Sequence, residues 1–137
     1  AEKAKTNPPA PLLNQDFRGV CYDYEALAAD HLGREPVAYT RFKTVMPSWD
    51  NSARRKNAPN IFINCTPDGY ERWLRRTIAA TRQFGGSDER FVFVNAWNEW
   101  AEGCHLEPDL RHGLKYLEAT KRVADRVGKS VQGATTR

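Results

Sequence analysis

Four carboxylates crowd one short stretch of this chain. The segment VNAWNEWAEGCHLEPD, residues 94–109, holds Glu99, Glu102, Glu107 and Asp109, interleaved with Trp97, Trp100, Asn95 and Asn98. Glu99 and Glu102 stand three positions apart, so in a helical turn their Cβ atoms would lie about 5–6 Å from each other. Carboxylates that close repel, one tends to keep its proton, and the pair divides into an acid and a base. That division suits glycosidic chemistry, in which one carboxyl protonates the departing oxygen and another deprotonates the attacking group. Trp97 and Trp100 offer apolar faces to sugar rings, and Asn95 and Asn98 can exchange hydrogen bonds with hydroxyls. His105 and Glu107 are candidate ligand contacts, against the plainer reading of a turn fixed by Pro108. A bare pair of glutamates at this spacing is common on helices and often only caps or solvates them. The surrounding tryptophans and asparagines are what favour a carbohydrate site.

Competing chemistry is weaker. Cys104, His105, Glu102, Glu107 and Asp109 are metal-ligand types, but no recognised ligand spacing is present and adjacent Cys-His rarely chelates one ion. Cys104 could act as a nucleophile with His105 or His112, but nothing in the sequence forces a third, base-orienting group. No metal and no cofactor is expected.

The elements that would position these residues follow from the pattern. FVFVNAW, residues 91–97, is a continuous apolar run that suits a strand covered on both faces. The acidic cluster then sits at the strand's carboxyl end, where α/β sheets and β/α barrels bind ligands. VAYTRFKTVM, residues 37–46, alternates as a second strand. Trp49, Asp50 and Asn51 follow it and would share the same rim. Asp50 could meet sugar hydroxyls or simply cap its loop, and Arg54 could pair with Asp50 or bind an anionic sugar. Residues 47–60 read as a long polar loop and residues 61–64 as a short buried strand. A helix is expected from Asp23 to His31, with Tyr24, Leu27, Ala28 and His31 on one face and Gly33 at the cap. Another starts at Thr66 and Pro67 and runs to about Phe84, where Gly85-Gly86 ends it. Its stripe is Tyr70, Trp73, Leu74, Thr77, Ile78 and Thr81, so Trp73 reads as core. A last helix spans about Arg111 to Val127, with Leu114, Leu117, Lys121 and Ala124 inward. Residues 1–13 read as a flexible, Pro-rich arm, 14–127 as the folded part, and 128–137 as a flexible tail. Helices and strands in alternation predict an α/β fold.

Composition narrows the classes. With 137 residues the chain is one domain's worth, and 40% hydrophobic with 28% charged residues excludes a disordered or collagen-like chain. A complete eight-fold β/α barrel takes about 250 residues, so the chain could supply only a piece of one. The net charge of +4 permits an anionic partner without demanding it. No basic run or nucleic-acid-binding signature appears, so nucleic acid is not an expected partner. No apolar run approaches the roughly 18 residues of a membrane span, and no signal peptide is visible. Cys21, Cys65 and Cys104 form neither a disulfide framework nor a zinc knuckle, which favours a reducing, cytoplasmic location.

Two blocks carry a family resemblance. FVNAWNEWAEGCHLEPDLRHGLKYLEAT, residues 93–120, resembles the end of the WbsX-type proteins of bacterial polysaccharide biosynthesis. VMPSWDNSARRKNAP, residues 45–59, resembles the family's P-x-W-D-N-x-x-R segment, and Pro67 to Leu74 fits its P-x-x-Y-x-x-W-L. The barrel of these proteins is similar to that of glycoside hydrolase family 99, the endo-α-mannosidases. The resemblance implies the C-terminal portion of a (β/α)8 barrel of the TIM type. It implies glycosyl transfer or retaining hydrolysis in the making of cell-surface polysaccharide such as lipopolysaccharide O-antigen. It also implies roles: Glu99 assists deprotonation of the sugar's own 2-hydroxyl, which attacks the anomeric carbon, and Glu102 is general acid and then base. The implied partners are a glycan, with mannose-containing oligosaccharides as one candidate, and the rest of the barrel in a parent chain. The alternative is a non-catalytic sugar-binding or scaffold module.

Overall fold

The computed structural model describes residues 1–9, 11–82 and 90–132, with side chains as far as residue 127. In chain order the elements are β1 (Lys5–Thr6), β2 (Val20–Asp23), α1 (Tyr24–Leu32), β3 (Lys43–Val45), α2 (Ser52–Arg55), β4 (Asn60–Ile63), α3 (Pro67–Thr81), β5 (Val92–Val94), β6 (Asn98–Glu99), β7 (Cys104–His105) and α4 (Lys115–Gln132). The fold is mixed α/β, built from small sheets and four helices. One sheet has the order β1-β2-β4, with β2 and β4 parallel. A second pairs β3 and β5 in parallel, Val45 opposite Val94. β6 and β7 form an antiparallel hairpin.

The helices start where local chemistry supplies a cap. The Asp23 carboxylate accepts from the Ala26 amide at 2.9 Å, and the Thr66 hydroxyl accepts from the Gly69 amide at 3.0 Å with Pro67 in the first turn. The α3 stripe buries Tyr70, Trp73, Leu74, Thr77 and Thr81 as its spacing predicts. Trp73, 2% exposed, meets Tyr24 of α1 edge-on at 5.5 Å, and Tyr70 meets Tyr116 of α4 at 5.6 Å. Burying rings of this size supplies the largest apolar share of the core.

Several expectations are corrected. The strand expected over 37–46 is confined to Lys43–Val45, and the one over 91–97 to Val92–Val94. The latter is not covered on both faces: Phe93 is 55% exposed and meets the ring of Phe42, also exposed, at 5.9 Å. The polar loop 47–60 contains α2, a single turn too short to show a period. The arm at residues 1–13 contains β1, whose Lys5 and Thr6 pair with Tyr22 and Cys21 of β2, and Ala4 beside it is buried. β2 itself, and the β6–β7 hairpin, had no pattern long enough to read. On α4 the buried side chains are Tyr116, Ala119 and Val123, whereas Leu114 is exposed and Lys121 pairs with Asp125 at the surface. The true stripe is rotated from the expected one because Tyr116 packs edge-on against Tyr70 of α3. α4 also runs on to Gln132, into the expected tail. The end of α3 at Gly85-Gly86 lies outside the described residues.

Candidate functional site

Parallel pairing of β3 and β5 sends the chain out of both strands at the same end. Beyond β3 come Ser48, Trp49, Asp50 and Asn51; beyond β5 the chain passes through a cis peptide between Asn95 and Ala96 into the β6–β7 hairpin. The two loops are bonded together. The Asp50 amide donates to the Glu102 carbonyl at 2.8 Å, and the Ser48 hydroxyl donates to the Gly103 carbonyl. Gly103 turns the hairpin at φ +55°, with Asp50 backbone packed against the face where a Cβ would stand.

The carboxylates are arranged differently from a helical pair. Glu99 lies in β6, opposite Cys104, and is exposed; among the described residues its carboxylate makes no hydrogen bond or ion pair. Glu102 lies in the following 3-10 turn and receives Arg54 Nη1 on Oε1 at 2.7 Å. Arg54 thus pairs with Glu102, the partner that its sequence neighbourhood did not suggest. The Asp50 Oδ1 accepts from the Ser52 amide at 2.9 Å and turns the loop. Asn51 is buried, and its side-chain oxygen accepts from the Asn60 amide at 2.8 Å, which ties the loop to β4.

The other hairpin residues form one connected group. Trp100 Nε1 donates to Glu107 at 2.6 Å, and its ring stacks on His105 at 3.7 Å and 16°. His105 Nε2 lies 3.1 Å from an Asp109 carboxylate oxygen. An ionised carboxylate only accepts, so Nε2 carries the proton. Nδ1 of the same ring is buried and, among the described residues, has no hydrogen-bond partner. Burial alone would raise the Asp109 carboxyl, but the donors from the His112 amide and His105 outweigh it and hold it below the ordinary range. Asn95 accepts the Cys104 thiol on its carbonyl at 2.8 Å, and Trp97 and Asn98 are exposed.

Two clefts result, with Trp49 in the wall of both. The larger, about 570 Å³, lies between the loops after β3 and β4 and the segment 103–116; Asp50, His105, Asp109 and Arg111 line it. The smaller, about 420 Å³, is lined by Trp49, Asn51, Arg54 and Glu102. Sequence reasoning passed over Arg111 and Asn64 in the larger cleft, and weighed His112 only as a base for Cys104. The spacing of His105 and Asp109, four apart across Pro108, was the one available signal. Glu99, Asn95, Trp97 and Asn98 line neither cleft.

The rival nucleophile loses support here. Burial pushes the Cys104 thiol up to about 11, which leaves it protonated and a poor nucleophile at neutral pH. Among the described residues no group of His, Cys, Asp and Glu side chains gathers to hold a metal ion. Nor is any described helix long and apolar enough to cross a membrane.

The sequence profile of the family described as glycosyltransferase WbsX matches residues 1–120, and the chain belongs to that family. It is 43% identical over 115 residues to proteins named "Uncharacterized protein WxcX" in two strains of Xanthomonas campestris pv. campestris, B100 and ATCC 33913. The match takes in 84% of this chain and 16% of each Xanthomonas protein, so the chain spans about a sixth of the length of these relatives. No solved structure matches the chain.

Proposed function

We propose that this chain supplies the carboxyl-terminal part of a β/α barrel that processes glycans in the biosynthesis of bacterial cell-surface polysaccharide, by glycosyl transfer or retaining hydrolysis. Membership of the glycosyltransferase WbsX family supports the carbohydrate substrate. The observation that carries the reading is the common rim: loops leaving the parallel strands β3 and β5 at one end bring Trp49, Arg54 and Glu102 to one cleft. Glu99, exposed and without a hydrogen-bonded partner among the described residues, is the base toward the sugar 2-hydroxyl. Glu102 is the acid and then the base, and Arg54 holds it until substrate arrives. The stacked Trp100 and His105 support a sugar ring, while the larger cleft receives more of the glycan. The resemblance to the endo-α-mannosidase barrel makes mannose-containing oligosaccharides the first substrates to try.

The test uses the longest natural form of the protein, incubated with such oligosaccharides in water carrying heavy oxygen. Heavy oxygen at a new reducing end means hydrolysis; products longer than the input and without it mean transfer. Glu99→Gln and Glu102→Gln each lower turnover by about a hundredfold or more, the ordinary worth of general acid-base help. Full turnover in both variants overturns the assignment. One observation favours the second reading, a non-catalytic sugar-binding module: Glu102 is already held at 2.7 Å by Arg54. On that reading glycan binds, no product forms, and both glutamine variants bind as the parent does.

A further inference from the structure

At the other end of β3, away from the carboxylate loops, a further cavity carries positive charge. It encloses about 140 Å³ between the end of α1, the start of β3 and α3. That is ample room for a phosphate-sized anion. Its walls carry His31, Arg34, Arg41, Lys43 and Thr77, with Trp73 beneath.

The inventory of charge is one-sided. Arg34 has Asp30 at 3.7 Å, the one carboxylate paired with these cations among the described residues. Arg41 gives one guanidinium N–H to the Glu35 carbonyl at 3.0 Å and, among the described residues, neither Arg41 nor Lys43 has an ion-pair partner. Arg34 Nη2 lies 3.0 Å from His31 Nε2. A guanidinium only donates, so that nitrogen accepts and the ring is neutral. Burial first, then Arg34 and Lys43, keep His31 below its ordinary pKa against the opposing pull of Asp30. Thr77 adds the sharpest observation. It is 1% exposed, and among the described residues its hydroxyl has no hydrogen-bond partner. A buried hydroxyl without a partner is costly, and native structures seldom keep one without a use.

We propose that this cavity is an anion site for a phosphate-class ligand, bound by Arg34, Arg41 and Lys43 with the Thr77 hydroxyl donating to one of its oxygens. Guanidinium forks match phosphate oxygens, and the apolar floor of Trp73 strengthens each charge-assisted bond. The site is separate from the carboxylates, and its test does not depend on their activity.

Inorganic phosphate is titrated into the intact chain at constant ionic strength, with chloride as the control anion, and followed by calorimetry and by the His31 ring resonances. Saturable binding is expected. Arg41→Ala and Lys43→Ala each weaken it by about tenfold or more, and Thr77→Val by about threefold. Arg76→Ala, exposed on α3 outside the cavity, leaves it unchanged. Thr77→Val also raises the urea midpoint without phosphate, because an unpartnered hydroxyl has been replaced by a methyl group. Far-UV circular dichroism verifies that each variant is folded. Inorganic diphosphate and uridine diphosphate then separate the sources: tighter binding of the nucleotide assigns the phosphate to a nucleoside diphosphate, and equal binding assigns it to free phosphate or diphosphate. A phosphate response no different from chloride overturns the proposal, as does undiminished affinity in the Arg41 and Lys43 variants.

Discussion

Gly103 and Gly113 share nearly the same left-handed backbone, φ +55° and +56°, in different surroundings. A Cβ at Gly103 would meet the Asp50 backbone at 3.1 Å, while at Gly113 nothing lies within 4 Å. Gly113→Ala therefore costs about 1 kcal/mol of backbone strain alone. Gly103→Ala costs at least about 2 kcal/mol, because the loop carrying Trp49 must also move. Urea unfolding of the two variants measures the difference, and equal losses would mean that the contact with Asp50 is worth nothing. At the same scale, the types of the site residues were legible and their partners were not. The tryptophans and glutamates of W-N-E-W-A-E-G announced a polar, aromatic rim. That Arg54 meets Glu102, 48 positions away, depends on how two loops fold over each other. Local spacing holds no record of such a contact.

Helices show how far local chemistry reaches. The Thr66 cap, Pro67 in the first turn and the 3.6-residue stripe defined α3, and Asp23 and Gly33 bracketed α1 as expected. Thr66→Ala leaves the Gly69 amide unpaired and lowers stability by about 1 kcal/mol, read from the shift in urea midpoint. A loss under a few tenths would show that water replaces the hydroxyl. Strands were read less well. β2 and β4 hold each other in register over four residues, and neither β1 nor β7 exists without its partner. Pairs made across the chain are decided by tertiary packing, so a four-residue run such as VCYD carries no period of its own. The inward face of α4 was read only in part, for a related reason: Leu117 packs against the core, but the buried residues are Tyr116, Ala119 and Val123. Its sequence offers two plausible apolar faces, and the ring contact of Tyr116 with Tyr70 selects one.

For the molecule as a whole, the interior is rich in groups that ionise only at high pH. Burial raises the Cys65 thiol from 9.0 to about 12 and Cys104 to about 11, and Tyr24 and Tyr116 are raised as well, by burial and then by the neighbouring Cys65. Each group keeps its proton longer folded than unfolded. Above pH 9.0 the unfolded chain therefore binds fewer protons, and stability falls with rising pH. The contribution is whole below pH 9.0 and is lost as the pH climbs toward about 12. Urea midpoints at about pH 8 and about pH 10.5 check this, with the lower midpoint at the higher pH. A flat profile would place the thiols in contact with solvent. The seam between the β3 and hairpin loops has a further consequence. The Asp50 amide proton is committed to the Glu102 carbonyl, so it trades with deuterium from solvent only when those two loops part. A single backbone proton is thereby a clock for the opening of the rim, and glycan bridging the two loops should slow it.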